Sequence, residues 1–226
     1  MADTWLSAPI WREWAALTRL QWGGRIAFRE EVARAERMMA GGETSIAEAD
    51  SGGEYTTSLL RHREAMADTD LFWTLIFLRS FALLETHAKL VSHIVETRRW
   101  DLLSGKLSEA ELQHVNSRRL EGGIDAWMTQ VLRGCGQDWS MVYQGVAGMV
   151  EVAQVRNAIA HGVLHCTETQ REKARRLAYG WPFEVGEPLQ ISFGLLHEYR
   201  GRIRSTCRIT CDGIYHMYRG SHRNPV

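Results

Sequence analysis

Eight consecutive residues, Val155-Arg156-Asn157-Ala158-Ile159-Ala160-His161-Gly162, bring a guanidinium, an amide and an imidazole into a short stretch of chain. At about 100° per residue, Asn157 and His161 lie one above the other on a helix. Arg156 sits about 100° around from Asn157, with a side chain long enough to wrap back to the same surface. These three groups suit cleavage of an RNA phosphodiester. An imidazole can take the proton of a ribose 2′-OH or give one to the leaving 5′-oxygen. A guanidinium can bind the phosphate bidentately and stabilise charge developing on its oxygens. The amide can orient either partner. Because the nucleophile is the substrate's own hydroxyl, the chemistry asks for no metal and no cofactor. Its products are a 2′,3′-cyclic phosphate or the derived 3′-phosphate. One imidazole cannot be acid and base in a single step, so a two-fold dimer would have to supply the second. The same residues also have a purely structural use. A His at a helix C-terminus beside a glycine is a macrodipole partner, and Arg with Asn forms a satisfied surface pair.

The elements that must position these groups read as helices. Trp5, Trp11, Trp14, Leu17, Leu20 and Trp22 recur at helical spacing, with a break expected at Gly23-Gly24 and a second helix over 26–39. That stripe suits a core or a dimer arm better than a platform for stacking bases. The small, polar run from Gly42 to Gly53 reads as a linker. From about Thr57 to Arg99 a helical pattern runs without Gly or Pro, and Asp68 or Thr69 is placed to cap an internal restart. Trp100–Lys106 reads as a turn. Ser108 with Glu111 forms a capping box for a helix to about Leu120, and Ile124–Leu132 is another. Trp139–His161 reads as the helix that delivers the motif, with Gly162 as its left-handed cap. Residues 163–188 are irregular and leave room for a short hairpin. Gln190–Tyr218 is a last helix, with Ile191, Leu195, Tyr199, Ile203, Cys207 and Ile214 along one face. The expected architecture is all-α, an up-and-down bundle of four to five helices with strands absent or marginal. It divides into an N-terminal helical arm and linker (1–50) and a helical domain (51–226).

Composition sets the remaining limits. The 226 residues carry 27 Lys+Arg and 27 Asp+Glu, so no global positive field marks a nucleic-acid binder. The distribution is uneven. Residues 1–150 hold 16 basic against 20 acidic side chains, and residues 151–226 hold 11 against 7, a local excess of four positive charges. Arg171, Lys173, Arg175, Arg176, Arg202 and Arg204 are the candidates for RNA contact within that excess. A solvated helix face would show the same pattern. Four cysteines without a secretion signal suggest reduced thiols in the cytoplasm. The most apolar run, Leu71–Leu78, is too short for a membrane span. Cys207 and Cys211 with His197 and His216 invite zinc, but two thiols on an apolar stripe are more often core. Adjacent His165 and Cys166 point apart on a strand and make a poor nucleophile pair. Glu85 interrupts an apolar helix face and wants a partner, for which Arg156 is the natural candidate, and His87 is expected beside it at the cleft.

The string RNAIAHG, closing a helix in an all-α chain, resembles the signature of the HEPN superfamily (higher eukaryotes and prokaryotes nucleotide-binding). Arg156, Asn157 and His161 match that signature position by position. The stretch LRSFALLETHAKL, with Glu85 amid apolar residues, resembles the family's upstream helix. The resemblance covers roughly residues 57–220. It implies a helical bundle that forms a homodimer through its motif helices, with a composite cleft and metal-independent endoribonuclease activity. It places such proteins among toxins and antiviral defence effectors, held by an antitoxin or regulatory protein. Arg156, Asn157, His161 and Glu85 would be the catalytic set. The alternative is a non-catalytic dimeric module that binds a nucleotide or a protein, and a third reading has the His or a nearby Tyr modified by a nucleotidyltransferase.

Overall fold

The computed structural model describes residues 8–50, 53–100, 102, 107–176 and 180–223. These residues are mostly helical. In chain order they form α1 (Ala8–Ala40), β1 (Ser45–Asp50), β2 (Gly53–Ser58), α2 (Leu59–Ala67), α3 (Asp70–Thr97), α4 (Glu109–Ser117), α5 (Ile124–Gly134), α6 (Gly145–Ala160), α7 (Glu168–Arg176) and α8 (Phe193–Arg223).

The first correction concerns α1. It runs unbroken through Gly23-Gly24 for 33 residues. Gly24 is there for clearance, because a Cβ at that position would lie 2.6 Å from the ring of Phe72 on α3. Helical hydrogen bonding tolerates the glycine at a cost of about 1 kcal/mol, and the close approach to α3 offsets it. Trp14 is buried with the main core, and T-shaped contacts join Phe28 to Phe72 and Trp73 at 5.1 and 6.1 Å. Trp5 lies outside the described residues.

The second correction is the segment that reads as a linker. β1 and β2 pair antiparallel from Ser45↔Ser58 to Asp50↔Gly53. Small and polar composition hides the pattern, but one apolar residue fixes the inward face. Ile46 is buried with Ala35 of α1 and Leu59 of α2. Ser58 then caps α2, accepting from the Arg61 amide.

The long pattern over 57–99 is two helices. The chain breaks at Asp68-Thr69, and Thr69 accepts a hydrogen bond from Trp73 Nε1 at 2.8 Å. α3 supplies the centre of the core, with Phe77, Leu84, Ala88, Val91 and Ile94 inaccessible to solvent. Burying each large apolar side chain contributes roughly 1.5–3 kcal/mol. α8 lies along α3 in the same direction. Trp73 meets Phe193 at 5.3 Å, Phe77 meets Tyr199 at 5.4 Å, and His87 meets Thr210 at 2.7 Å. The capping box at Ser108 and Glu111 forms as the sequence predicts, although α4 ends at Ser117. α5 passes so near α8 that a Cβ on Gly213 would sit 2.5 Å from the Cys135 carbonyl oxygen. In the irregular stretch, an isolated antiparallel bridge joins His165 to Pro188. Among the described residues no helix is long and apolar enough to cross a membrane.

Candidate functional site

The motif helix is shorter than its apolar pattern suggests. Residues 139–141 form a single 3-10 turn, Gln144 takes a left-handed conformation, and α6 begins at Gly145. One side of α6 is core, through Met149, Val152, Val155 and Ala158. That packing turns Arg156, Asn157 and His161 outward. The helix closes on a Schellman motif. Gly162 has φ +71°, its amide donates to the Ile159 carbonyl, and the Val163 amide donates to the Ala158 carbonyl, both at 3.0 Å. His161 is the last residue before that turn and is exposed.

Arg156 is held on three sides. Its guanidinium donates to Asn157 Oδ1 at 3.0 Å, lies 3.7 Å from Glu85 Oε1, and sits 5.3 Å above the Phe81 ring. Glu85 and Arg156 are each about one-third exposed. The structure therefore brings Glu85, Arg156 and Asn157 together, with the amide of Asn157 polarised by the guanidinium it accepts from. His161 lies one helical turn beyond Asn157 on the same surface. Among the described residues its imidazole makes no hydrogen bond, so the group is open to a ligand. Glu85, Arg156 and Asn157 thus form one cluster, a fixed positive fork with an acceptor on either side, and among the described residues no contact joins His161 to it.

His87 does not join them. It is wholly buried against α8, with Nε2 2.7 Å from the Thr210 hydroxyl. Burial pushes its pKa down to about 4. The residue two positions from Glu85 points the other way round α3, which places it in the core.

The basic candidates separate into distinct groups. Arg171 on α7 is ion-paired with Glu184, and Arg176 lies 3.7 Å from Glu172 one turn earlier. Lys173 and Arg175 are exposed on the same helix. Arg204 is exposed on α8, beside Arg208 and Asp212. Arg202 is a correction, because it is among the most buried side chains in the protein. It lies 3.0 Å from Glu151 and 2.6 Å from Glu198, and it donates to the Gly148 carbonyl at 3.1 Å. A guanidinium so buried and ion-paired is out of reach of a phosphate.

That network escaped the sequence reading. Glu151 also accepts from the Tyr199 hydroxyl at 2.9 Å. Burial pushes the Glu151 carboxyl above its ordinary range, against the pull of Arg202 and Tyr199. A second buried guanidinium, Arg200, ties α8 to α1. It donates to the Trp14 carbonyl at 3.2 Å and to the Thr18 hydroxyl at 2.9 Å, and it stacks 4.5 Å over the Trp14 ring. Burial lowers its pKa to about 10. The only hint in the sequence was an Arg at 200 and at 202 flanking the apolar stripe of α8. Cys207 and Cys211 are buried on that stripe. Among the described residues no group of three His, Cys, Asp or Glu side chains converges as metal ligands would.

The chain matches no family model, no curated protein and no solved structure, so a functional reading rests on the geometry and chemistry of these residues.

Proposed function

We propose that this protein is a metal-independent endoribonuclease of the HEPN type, acting as a homodimer in which two motif helices face each other. The observation that carries the reading is Arg156, oriented by Glu85 and Asn157 one turn before an exposed, unengaged His161. The guanidinium receives the scissile phosphate and stabilises charge on its non-bridging oxygens. Asn157 fixes the direction of that fork. The imidazole of one protomer removes the 2′-OH proton, the 2′-oxygen attacks phosphorus, and the 5′-oxygen leaves with a proton from the partner's imidazole. The products are a 2′,3′-cyclic phosphate and a 5′-hydroxyl. Lys173, Arg175 and Arg204 extend the contact along the RNA backbone. A toxin or antiviral effector held by a regulatory protein is the setting this chemistry suits.

The test is end-group analysis of RNA treated with the wild type, Arg156→Ala and His161→Ala. Cyclic phosphate ends made by the wild type and by neither variant support the reading. Intact RNA with all three proteins overturns it in favour of a non-catalytic module that binds a nucleotide or a protein.

A further inference from the structure

We propose that the outward face of α1 pairs with the same face of a second copy of this chain, in an antiparallel contact centred on Gly23 and Ile26. The inward side of α1 is accounted for, with Trp14, Gln21 and Ala35 buried. The opposite side is not. Leu20, Trp22 and Ile26 are 49%, 45% and 56% exposed within two turns of helix, and Ala15, Ala16, Gly23 and Ala27 extend the same surface. Contiguous apolar patches of this kind mark interaction sites. This one lies on a different helix from the motif, outside the stretch that carries the family resemblance.

Gly23 fits such a contact. Nothing lies within 4 Å of the position its Cβ would take, so unlike Gly24 it serves no close approach inside the chain. A glycine in mid-helix weakens the helix, and the bare backbone it leaves lets a second helix come close. In an antiparallel pair, Ile26 of each copy enters the gap over Gly23 of the other, beside Trp22, and Leu20 meets Ala27. Large side chains thus meet small ones across the contact.

The charges favour a second copy over any other partner. Arg19 and Glu30 lie on the centre line of the face, one on either side of Gly23 and Ile26 and about 16 Å apart along the axis. Both are exposed, and among the described residues neither has an ion-pair partner. A two-fold contact sets residue i against j and j against i, so the antiparallel pair places Arg19 of each copy against Glu30 of the other. The ion pair forms twice. A parallel pairing would put like charges together, and a partner of one charge sign would satisfy only one of the two residues. Arg12 and Arg37 lie about 19 Å from the crossing point, where inclined helices have diverged.

The experiment is sedimentation equilibrium of the full chain over a wide concentration range, with folding of each variant checked by circular dichroism. Ile26→Glu and Arg19→Glu should each weaken association by about tenfold or more. Adding Glu30→Arg to Arg19→Glu restores opposite charges across the contact and should recover association to within about threefold of the wild type. Gly23→Gln should weaken association while the melting temperature stays equal or rises, because the new side chain favours helix and meets open space in its own chain. Pairing through α6, which the proposed function requires, is a separate contact. With both contacts the α1 variants fall from four chains to two, and with α1 alone from two to one. A wild type that stays monomeric at every concentration, a mass that the α1 variants leave unchanged, or no recovery in the charge-swapped double variant would each overturn the proposal. A mass of two chains indifferent to these variants would leave the motif pair standing.

Discussion

The guanidinium of Arg156 stands 3.7 Å from the carboxylate of Glu85, on a helix that the motif does not include. This contact aims the arginine, and it also competes with any phosphate that would replace it. Glu85→Ala should therefore separate binding from catalysis. Removing the carboxylate leaves affinity for RNA equal or tighter while the guanidinium loses its orientation. Misplacement on this scale slows an oriented reaction by about tenfold to a hundredfold. Single-turnover rates against Kd for one RNA decide it. A variant that loses affinity and rate in proportion would show that Glu85 does not aim the arginine.

His161 is exposed and sits at a helix terminus, which keeps its chemical and structural roles apart. His161→Ala should lower cleavage by about a hundredfold to ten-thousandfold, the usual worth of a general acid–base group. Its unfolding free energy should move by no more than about 0.5 kcal/mol, as for other exposed substitutions. Gly162→Ala should show the converse. At φ +71° a Cβ costs about 1 kcal/mol of stability with the chemistry intact. Chemical denaturation and initial rates on both variants check the pair.

Arg202 reads in the sequence as one more member of a basic cluster, and in the structure it is core. Arg202→Met leaves Glu151 buried without its charge partner and should destabilise the protein by about 3–5 kcal/mol. Replacing Glu151 by Met in the same chain removes the stranded charge and should recover most of that loss. Glu198 is half-exposed and can turn to water. Urea unfolding of the single and double variants tests this, and equal destabilisation in both would refute it.

His87 gives the fold an acid sensitivity. Its folded pKa of about 4 lies below the ordinary 6.5. Between those values the unfolded chain binds a proton that the native state refuses, so stability falls as pH drops from about 6.5 towards 4. A separation of this size corresponds to about 3 kcal/mol across the window. His87→Gln keeps a hydrogen-bonding partner for Thr210 and removes the titration. Its unfolding free energy should be flatter over that pH range than the wild type's, and parallel profiles would exclude His87 as the cause.

Helix periodicity made α5, the end of α6 and the apolar face of α8 legible, and the capping chemistry at Ser108 and Gly162 was readable to the residue. The pairing of Glu85 with Arg156 was also legible, because a carboxylate amid apolar helix needs a partner. Other features turn on tertiary contacts that local pattern does not encode. Gly24 reads as a breaker until Phe72 is seen against it. Ile46 and Leu59 turn a polar run into a hairpin by sharing a small core with Ala35. Arg202 resembles Arg204 in sequence, and only the carboxylates of Glu151 and Glu198, 51 and 4 residues away, set them apart.

That contrast within one helix gives the last prediction. If Lys173, Arg175 and Arg204 neutralise phosphates of a bound single strand, each contributes about 0.7 to the slope of log affinity against log salt concentration. Lys173→Ala and Arg204→Ala should each weaken RNA binding across sequences alike and lower the slope by about that amount. Arg171 is ion-paired with Glu184, and part of its charge is already compensated. Arg171→Ala should reduce the slope by clearly less, because Glu184 must be displaced before a phosphate can take its place. Fluorescence titrations of a labelled single-stranded RNA at several salt concentrations distinguish these cases. Slopes unchanged in Lys173→Ala and Arg204→Ala would mean that the basic excess beyond residue 150 is a solvated surface, and that RNA reaches Arg156 by another face.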